Sequence, residues 1–353
     1  MSVGATPSLN FIGDTVGDAA PHAMSEMRGI RFASGNSPTI GAISLSDFRN
    51  QVLTKSLVWS EPAKFQASDK QAYDVFGISV SISSDGNTAI VGAYGEGTGG
   101  DYAGAAYIFT RSGTTWTEQA KIQASDREEG DGFGYAVSIS SDGNTALVGA
   151  GGDDTDTGGD AAGAAYIFTR SGTTWTQQAR IQASDRQEGD GFGYLVSISG
   201  GGNTALVGAS GDETDTGEPL AGAAYIFTRS GTTWTQQAKI QASDREQYNS
   251  FGQNAVSISG DGNTAIVGVQ NVHAIVGTNT IFNVGAAYIF TRSGTTWTEQ
   301  AKIQASDRQF QDFFGRSVSI SSGGNIALVG AFGVDTGGTN AGAVYMSENS
   351  YYI

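Results

Sequence analysis

The sequence of 353 residues has no cysteine, only two histidines and five prolines, and no apolar run long enough to span a membrane. Without cysteine, the chain can form neither disulfide bonds nor thiolate metal sites. A transmembrane helix needs roughly 20 consecutive apolar residues, so the sequence predicts no membrane insertion. The first residues also lack the basic start and apolar core of a signal peptide, which disfavours conventional secretion.

Basic residues are scarce as well. The 35 acidic side chains outnumber the 19 basic ones, which gives a net charge of −16 at pH 7. Nucleic acids and anionic membrane surfaces both require a basic binding surface, so neither is a predicted partner. Glycine is abundant with 52 residues, about twice its usual share of roughly 7%. Glycine-rich turns between short apolar runs predict an all-β chain.

Five copies of one repeat account for most of the chain. A Phe-Gly pair followed by a strand-like Val-Ser-Ile-Ser motif recurs with spacings of 57, 59, 59 and 63 residues, and it begins at Phe76, Phe133, Phe192, Phe251 and Phe314. The five tryptophans recur in the same way and are Trp59, Trp116, Trp175, Trp234 and Trp297. Self-similarity at a fixed period is typical of repeat architectures.

Each repeat contains four candidate strands. In the second repeat they are YAVSIS, TALVGA, GAAYIFTR and WTQQARIQAS, with tight turns at SDGN and SGTT. Strict alternation along the last strand predicts that Trp175, Ala179, Ile181 and Ala183 share one face. Four antiparallel strands per repeat indicate a β-propeller blade. A row of separate small sheets is the disfavoured alternative, because each sheet would leave its apolar faces uncovered.

The segment WSEPAKFQASDK, residues 59–70, resembles the last strand of a repeat, yet no repeat precedes it. The fifth repeat, conversely, stops after its third strand. We therefore predict a five-bladed β-propeller over residues 57–353, with four-stranded antiparallel blades and a ring closed by the N-terminal strand, which completes the last blade. Closure would pair an otherwise open sheet edge. Residues 1–56 are predicted to form a short irregular arm.

The repeat pattern FGxSVSIS…GNTAIVGA…GAAYIF resembles the FG-GAP repeat, the blade unit of the integrin α-chain propeller and of many microbial proteins. The resemblance implies a propeller with a binding or adhesion role. Many members carry a calcium loop between the first two strands, and here only a tight turn stands there, with Asp85, Asp142 and Asp261 in three repeats and Gly201 and Gly323 in the others. One carboxylate is far short of the six to eight oxygens that calcium prefers, so these positions are predicted to be turns.

Strand alternation places the nearly invariant turns at one end of the propeller and the variable loops at the other. This one-sided variation indicates either a binding face or free drift of long loops. Residues 269–284 form the longest and most apolar loop, which either provides an interface or folds over the propeller end. The predicted binding residues, all from variable loops, are Val272, His273, Ile275, Ile281, Phe282, Tyr102, Asp156, Asp215 and Phe310.

An acidic stretch offers weak calcium candidates at Asp154, Asp156 and Asp160, although a solvated loop is the more ordinary interpretation. The two histidines, His22 and His273, lie in different regions, and no motif orients either for catalysis. The sequence therefore predicts a protein that is not an enzyme and needs no cofactor, with bound calcium as the open alternative.

The arm contains two related strings, AMSEMRG at 23–29 and SLSDFRN at 44–50. Each is predicted to form a single capped helical turn that docks on a partner. The segments from His22 to Gly29 and from Ile43 to Asn50 resemble strings near the start of tailed-phage tail and fibre components. The resemblance implies an anchoring role for Met24, Glu26, Arg28, Leu45, Asp47, Phe48 and Arg49.

These observations lead to three functional hypotheses. The first is a non-enzymatic phage virion appendage, a tail-fibre, spike or baseplate-associated homo-oligomer, whose arm binds other virion proteins and whose propeller binds a host-surface glycan or protein. The second is a structural protein that decorates the capsid or neck. The third is a bacterial surface adhesin with calcium-stiffened loops.

Overall fold

A computed structural model describes residues 64–154, 159–213, 220–245, 247–276, 279–336 and 338–349, and two short strands before them. The chain divides into two compact units, Met1–Lys64 and Phe65–Ile353. In the first unit, β1 (Arg31–Phe32) pairs antiparallel with β2 (Leu53–Thr54). The seven predicted anchoring residues of the arm lie outside the described residues.

The second unit is built from five antiparallel sheets, which we call blades 1 to 5, each following chain order. Blade 1 consists of β3 (Val80–Ile82), β4 (Thr88–Ala93), β5 (Ala105–Ser112) and β6 (Thr115–Ile122). Blade 2 consists of β7 (Val137–Ile139), β8 (Thr145–Ala150), β9 (Ala164–Ser171) and β10 (Thr174–Ile181). Blade 3 consists of β11 (Leu195–Ile198), β12 (Thr204–Ala209), β13 (Ala223–Ser230) and β14 (Thr233–Ile240).

Blade 4 contains an additional hairpin between its second and third strands. The blade consists of β15 (Ala255–Ile258), β16 (Thr264–Val269), β19 (Ala286–Ser293) and β20 (Thr296–Ile303), and the hairpin of β17 (Ala274–Val276) and β18 (Asn279–Ile281). Blade 5 has three strands, β21 (Ser317–Ile320), β22 (Ile326–Ala331) and β23 (Ala343–Glu348). The described residues contain no helix long and apolar enough to cross a membrane. The predicted all-β fold of five blades is confirmed.

The turn between the first two strands of a blade is closed by its own side chains. In blade 2, Asp142 accepts hydrogen bonds from the Ser140 hydroxyl at 2.6 Å and from the Asn144 amide at 3.0 Å. Gly143 has a φ of +67°, which glycine adopts without steric cost. In blade 1, the equivalent hydrogen bonds, first from the Ser83 hydroxyl and then from Asn87, lower the pKa of Asp85 to about 2. These carboxylates therefore serve the turn, as predicted.

A β-bulge corrects the predicted face of the tryptophan strand. The pairing of β10 with β9 shifts register between Gln177 and Ala179, so one extra residue stands on β10. Trp175 consequently packs in the core between blades 1 and 2, whereas Ile181 packs in the core between blades 2 and 3. The prediction that both side chains share one face was wrong, because strict alternation does not survive a bulge.

The hydrophobic core lies between neighbouring blades. In one cluster, Ile167 and Ile181 of blade 2 contact Phe192, Val207 and Tyr225 of the blade 3 region. Equivalent clusters join blades 1 and 2, blades 3 and 4, and blades 4 and 5. The blades therefore pack face to face in series, which excludes the alternative of separate small sheets and agrees with a propeller.

The first strands of successive blades are also linked by hydrogen bonds. The Ser81 hydroxyl oxygen accepts the Ile139 amide at 3.1 Å, and Ser138 accepts the Ile198 amide at 3.1 Å. The same bond recurs from Ile258 to Ser197 and from Ile320 to Ser257. The first serine of the repeated Val-Ser-Ile-Ser motif is thus a blade-to-blade connector, whereas the second serine closes the turn of its own blade.

The predicted ring closure rests on the segment at residues 59–70. Its last part packs on blade 1, where Ser68 N–H donates to Glu118 at 2.8 Å and Asp69 accepts from the Tyr107 hydroxyl at 2.7 Å. Ser243 and Asp244, which follow blade 3, make the same contacts with blade 4. This agrees with residues 65–69 being the end of a fourth strand. Residues 59–63 lie outside the described residues, so closure by that strand stays a prediction.

Candidate functional site

The variable loops of neighbouring blades are joined at one end of the propeller unit, which we call the loop end. The loop between the second and third strands of blade 1 accepts hydrogen bonds from the segment that leads into blade 2, from Gly132 N–H to Tyr102 O at 2.8 Å and from Phe133 N–H to Ala103 O at 3.3 Å. Equivalent bonds join the later blades. The predicted separation of loops from invariant turns is therefore correct, and one continuous backbone scaffold carries all the variable loops.

Exposed aromatic side chains are concentrated at this loop end. They all come from the variable loops or from the one or two residues before a first strand, and they are Tyr73, Tyr102, Tyr135, Tyr194, Tyr248, Phe282, Phe310 and Phe332. Clustered exposed apolar surface is uncommon on soluble proteins and marks interaction sites. Three of the predicted binding residues, Tyr102, Phe282 and Phe310, belong to this set.

Four tyrosines form a continuous row across blades 1 to 3, which we call the tyrosine row: Tyr102, Tyr94, Tyr135 and Tyr194. Their successive ring centroids are 5.9, 5.4 and 5.5 Å apart. The last two contacts are edge-to-face, which is a favourable geometry for aromatic pairs. The row therefore presents several amphipathic rings as one continuous surface.

Two glycines make room for the end of the tyrosine row. A Cβ atom added at Gly151 would lie 2.7 Å from the Tyr194 ring, and one added at Gly191 would lie 2.6 Å from it. Blade 1 has Tyr94 and blade 3 has Ser210 where blade 2 has Gly151, so the space beside the Tyr194 ring is not common to all the repeats. The row thus depends on differences between otherwise similar repeats.

Tyr102 and Leu220 adopt an unusual backbone conformation at equivalent positions of the loop end. Their φ angles are +61° and +54°, in the left-handed region that bulky residues seldom occupy. The carbonyl groups of both residues accept hydrogen bonds from the following blade segment. The same conformation recurs at Ala161, Asn283 and Asn340, so it belongs to the loop geometry of every blade.

The long loop at 269–284 is only partly the exposed surface that its sequence predicts. Ile275 is 79% exposed and Phe282 is 49% exposed, whereas Ile281 is half-buried. Val272, a predicted binding residue, is instead buried in the core between blades 3 and 4, so its side chain is not available to a ligand. It stands at the position where blades 2 and 3 have a buried acid, and its apolar side chain needs no polar partner there.

His273 has a structural environment. Its Nδ1 accepts the Asn283 amide at 3.1 Å, and its ring packs against Phe282 with centroids 4.8 Å apart. These contacts fix the base of the β17–β18 hairpin. No nucleophile or carboxylate partner of His273 is found among the described residues.

The acidic residues at the loop end separate into exposed and buried groups. Asp154 and Asp160 are exposed, whereas Asp156 and Asp215 lie outside the described residues. Asp153 and Asp212 are buried and accept hydrogen bonds from Tyr166 and Tyr225 of their own blades. In the part of the chain that the structure describes, no group of three acidic or histidine side chains is placed to hold a metal ion.

A second buried acid lies next to each of these loop acids. Asp131 is 1% exposed and accepts the Glu128 amide at 2.6 Å, and Asp190 accepts the Gln187 amide in the same way. Burial raises the pKa of Asp131 to about 6; the Glu128 hydrogen bond opposes this rise, and the charge of Asp153 adds to it. Burial likewise raises the pKa of Asp190 to about 6.

These buried acids predict a pH-dependent stability. An ordinary aspartate titrates near 3.8, so between that pH and about 6 the native state holds a proton that the unfolded state has lost. The free energy of unfolding therefore falls as the pH rises through this window. We expect Asp131→Asn to raise the free energy of unfolding by about 2 kcal/mol at pH 8 and to change it little at pH 4. Urea denaturation at the two pH values measures both effects.

Blade 4 supplies the natural precedent for this substitution, because Asn249 stands at the position of Asp131 and is equally buried. An equal effect of Asp131→Asn at both pH values, or a loss of stability at pH 8, would contradict the electrostatic interpretation. Asp142→Asn is a suitable control, since hydrogen bonds, first from Ser140, hold the pKa of Asp142 below its ordinary value despite partial burial. That variant should lose stability at pH 8.

The most continuous feature of the loop end was missed from the sequence. Tyr94, Tyr135 and Tyr194 were not among the predicted binding residues, although Tyr135 and Tyr194 both follow the Phe-Gly pair in their repeats. Blades 1, 4 and 5 have Ile78, Gln253 and Arg316 there. A tyrosine that replaces unrelated residues at an equivalent exposed position was the signal that could have identified them.

Comparison with known proteins agrees with this architecture. The family model described as FG-GAP repeat matches residues 59–109, 116–168, 175–227, 234–290 and 297–346. Each match starts at a tryptophan and ends in the third strand of the next blade, so the family repeat is offset from the blades. The chain matches none of the curated proteins.

Among solved structures, hydrazine synthase from Kuenenia stuttgartiensis is similar to this chain, with 12% sequence identity and a TM-score of 0.46. The match covers 73% of this chain and 62% of that chain, so it spans less than two thirds of the hydrazine synthase chain.

Proposed function

Since the chain belongs to the FG-GAP repeat family, whose models match five segments along it, we propose that it is a non-enzymatic binding protein whose loop end recognises a glycan on a host cell surface. The setting we propose is a tailed-phage virion appendage, in which residues 1–56 bind other virion proteins. The single observation that supports the binding role most is the tyrosine row. Its rings lie side by side at the loop end, where the loops of the repeats differ.

The chemistry of the tyrosine row suits a saccharide. The apolar faces of sugar rings carry C–H groups that pack on aromatic rings, while phenolic hydroxyls form hydrogen bonds with sugar hydroxyls. Tyrosine offers a large contact area with few rotatable bonds, so little conformational entropy is lost on binding. Three consecutive ring-to-ring steps of 5.4 to 5.9 Å provide positions for more than one sugar unit.

The virion setting is supported by the resemblance of residues 22–29 and 43–50 to the first segments of tailed-phage tail and fibre proteins. A repeat propeller on a short arm also suits an appendage that presents one face outward. Several copies of the chain on one particle would add avidity to a weak glycan contact. Binding of this kind needs no metal, cofactor or catalytic group.

Adsorption to bacterial cells tests the binding role. The double variant Tyr135→Ala/Tyr194→Ala is expected to lower the affinity of the fluorescently labelled chain for a recognised strain by at least tenfold, because it removes two adjacent rings from the row. Periodate oxidation of the cell-surface glycans is expected to abolish adsorption, whereas protease treatment should leave it intact. The measurement is the cell-bound fraction as a function of protein concentration.

Tyr248→Ala provides the matched control, because Tyr248 is an exposed loop-end tyrosine outside the tyrosine row. It should change the affinity less than threefold. If Tyr248→Ala and the double variant weakened adsorption equally, the tyrosine row would have no special role. Loss of adsorption after protease treatment alone would replace the glycan with a protein receptor.

A further inference from the structure

The first and last blades each leave one face exposed. On blade 1, Val80 and Ile82 are 68% and 56% exposed, and on blade 5 Val344 and Met346 are 72% and 67% exposed. At the equivalent positions of blade 2, Val137, Ile139, Ala165 and Ile167 are all buried. We call the blade 1 surface the incoming face and the blade 5 surface the outgoing face.

The two exposed faces are the two halves of the interface that the chain repeats four times. Between blades 1 and 2, the outgoing half consists of Ile90, Ala106 and Ile108, and it packs against Val137 and Ile139 of the incoming half. Blade 5 places Leu328, Val344 and Met346 at the outgoing positions. Blade 1 places Val80 and Ile82 at the incoming positions. Each exposed face therefore has apolar residues at the positions that pack against each other in the formed interfaces.

Glycines on the outgoing face indicate that it is built for close contact. At Gly149 of blade 2, an added Cβ would lie 1.8 Å from the Gly193 carbonyl oxygen of blade 3, so only glycine lets these backbones approach. Gly330 has the same position in blade 5, yet an added Cβ there would meet only the Ser317 side chain. Within one described chain, nothing on a neighbouring blade requires a glycine at this position.

A glycine on the incoming face is equally without a neighbour. An added Cβ at Gly134 or Gly193 would lie 2.2 Å from the carbonyl oxygen of Ala105 or Ala164 in the preceding blade. At Gly77 of blade 1 it would meet no atom within 4 Å. Both faces thus retain the small residues of a tight backbone contact that the described part of the chain does not make.

The polar connector of the interface is also present. In the four formed interfaces a serine hydroxyl of one first strand accepts an amide of the next, as Ser257 does from Ile320 at 3.3 Å. Ser319 has the equivalent position on blade 5 and is exposed. Its expected donor is the amide of Ile82 on an incoming face. A shallow depression of about 500 Å³, lined by Ser317, Gly330 and Val344, lies beside it.

We propose that the outgoing face of blade 5 binds the incoming face of blade 1 of a second copy, so that chains associate head to tail. Both faces are exposed in the same chain, and within the described residues no hydrogen bond joins blade 5 to blade 1. The occupant we infer is therefore another copy, and this contact would take the place of the ring closure within one chain that the sequence predicts. A contact between two different faces of identical chains builds a closed ring or a filament.

Engineered cysteines test this contact in a chain that has none of its own. Ile82→Cys and Ser319→Cys are made in separate full-length chains, mixed at 20 micromolar or so, and oxidised in a glutathione buffer. We expect a disulfide-linked pair of chains, with the joined peptides identified by mass spectrometry. Ser319→Cys mixed with Thr115→Cys is the control, because Thr115 is exposed on the fourth strand, at the opposite edge of its blade from Ile82, and it should give at least tenfold less product.

The same two cysteines placed in one chain distinguish the second copy from closure within the chain. An internal disulfide in the double variant, with no product from the mixed single variants, would overturn the proposal in favour of ring closure. Absence of both products, with a chain that stays monomeric at all concentrations, would overturn it as well. Gly330→Ala provides a second measurement, since it should abolish association in analytical ultracentrifugation and leave the melting curve of the dilute chain unchanged.

Discussion

Gly149→Ala is expected to lower the free energy of unfolding by at least about 3 kcal/mol. The new Cβ would lie 1.8 Å from the Gly193 carbonyl oxygen and 3.2 Å from Val196 Cγ1, both on blade 3. Because these obstacles are backbone and a buried side chain, the methyl group can be accommodated only if blades 2 and 3 move apart. Urea denaturation followed by tryptophan fluorescence would measure the loss.

Gly330→Ala is the matched control, as it makes the same change at the same strand position in blade 5. There the added Cβ meets the hydroxyl of Ser317, which is exposed and can rotate away. At submicromolar protein concentration this variant should stay within about 0.5 kcal/mol of the parent chain. A loss below 1 kcal/mol for Gly149→Ala would show that the blade junctions are more compliant than their geometry implies.

Phe192→Ala is expected to cost about 3 to 5 kcal/mol. The Phe192 ring is fully buried and contacts Tyr225 and Phe227 edge-on, with centroids 5.6 and 5.9 Å away. Its backbone also bridges to Gly163 of the preceding blade, which prevents the chain from collapsing into the cavity. The loss is measured by the same urea denaturation.

Phe310→Ala removes a side chain of the same type that is 59% exposed, and it should change the stability by less than about 0.5 kcal/mol. Equal losses for Phe310→Ala and Phe192→Ala would mean that the Phe-Gly phenylalanine is not the anchor of its blade. The phenylalanines at equivalent positions, Phe133 and Phe251, should resemble Phe192, since their rings contact the same tyrosine and phenylalanine positions.

The repeat made the blades predictable, because short strands between glycine turns have one antiparallel pairing that buries their apolar residues. Spacing alone could not predict the bulge at Gln177 and Ala179, because a bulge adds a residue without leaving a local sequence signal. For this reason the prediction that Trp175 and Ile181 share one face was wrong. The end of the segment at residues 59–70, in contrast, was recognisable because its sequence recurs in the later repeats, and Ser68 and Asp69 make the same contacts as Ser243 and Asp244.

The candidate site was predicted less well than the fold. The length and apolar character of the loop drew attention to residues 269–284, yet Val272 is buried there at a position where blades 2 and 3 have a buried acid. The tyrosine row joins residues of different blades, such as Tyr94 and Tyr135, that are 41 positions apart in sequence and meet only after the blades have packed. Such a juxtaposition follows from tertiary structure and not from any single repeat.

The central claim is that the tyrosine row forms the contact with a host-surface glycan. The most direct measurement is an NMR titration of the chain, ¹³C-labelled in its tyrosine rings, with polysaccharide purified from a recognised strain. Saturable shifts of the Tyr94, Tyr102, Tyr135 and Tyr194 ring signals, with Tyr248 unchanged, are the predicted result. Saturable binding that leaves these four signals in place would contradict the claim.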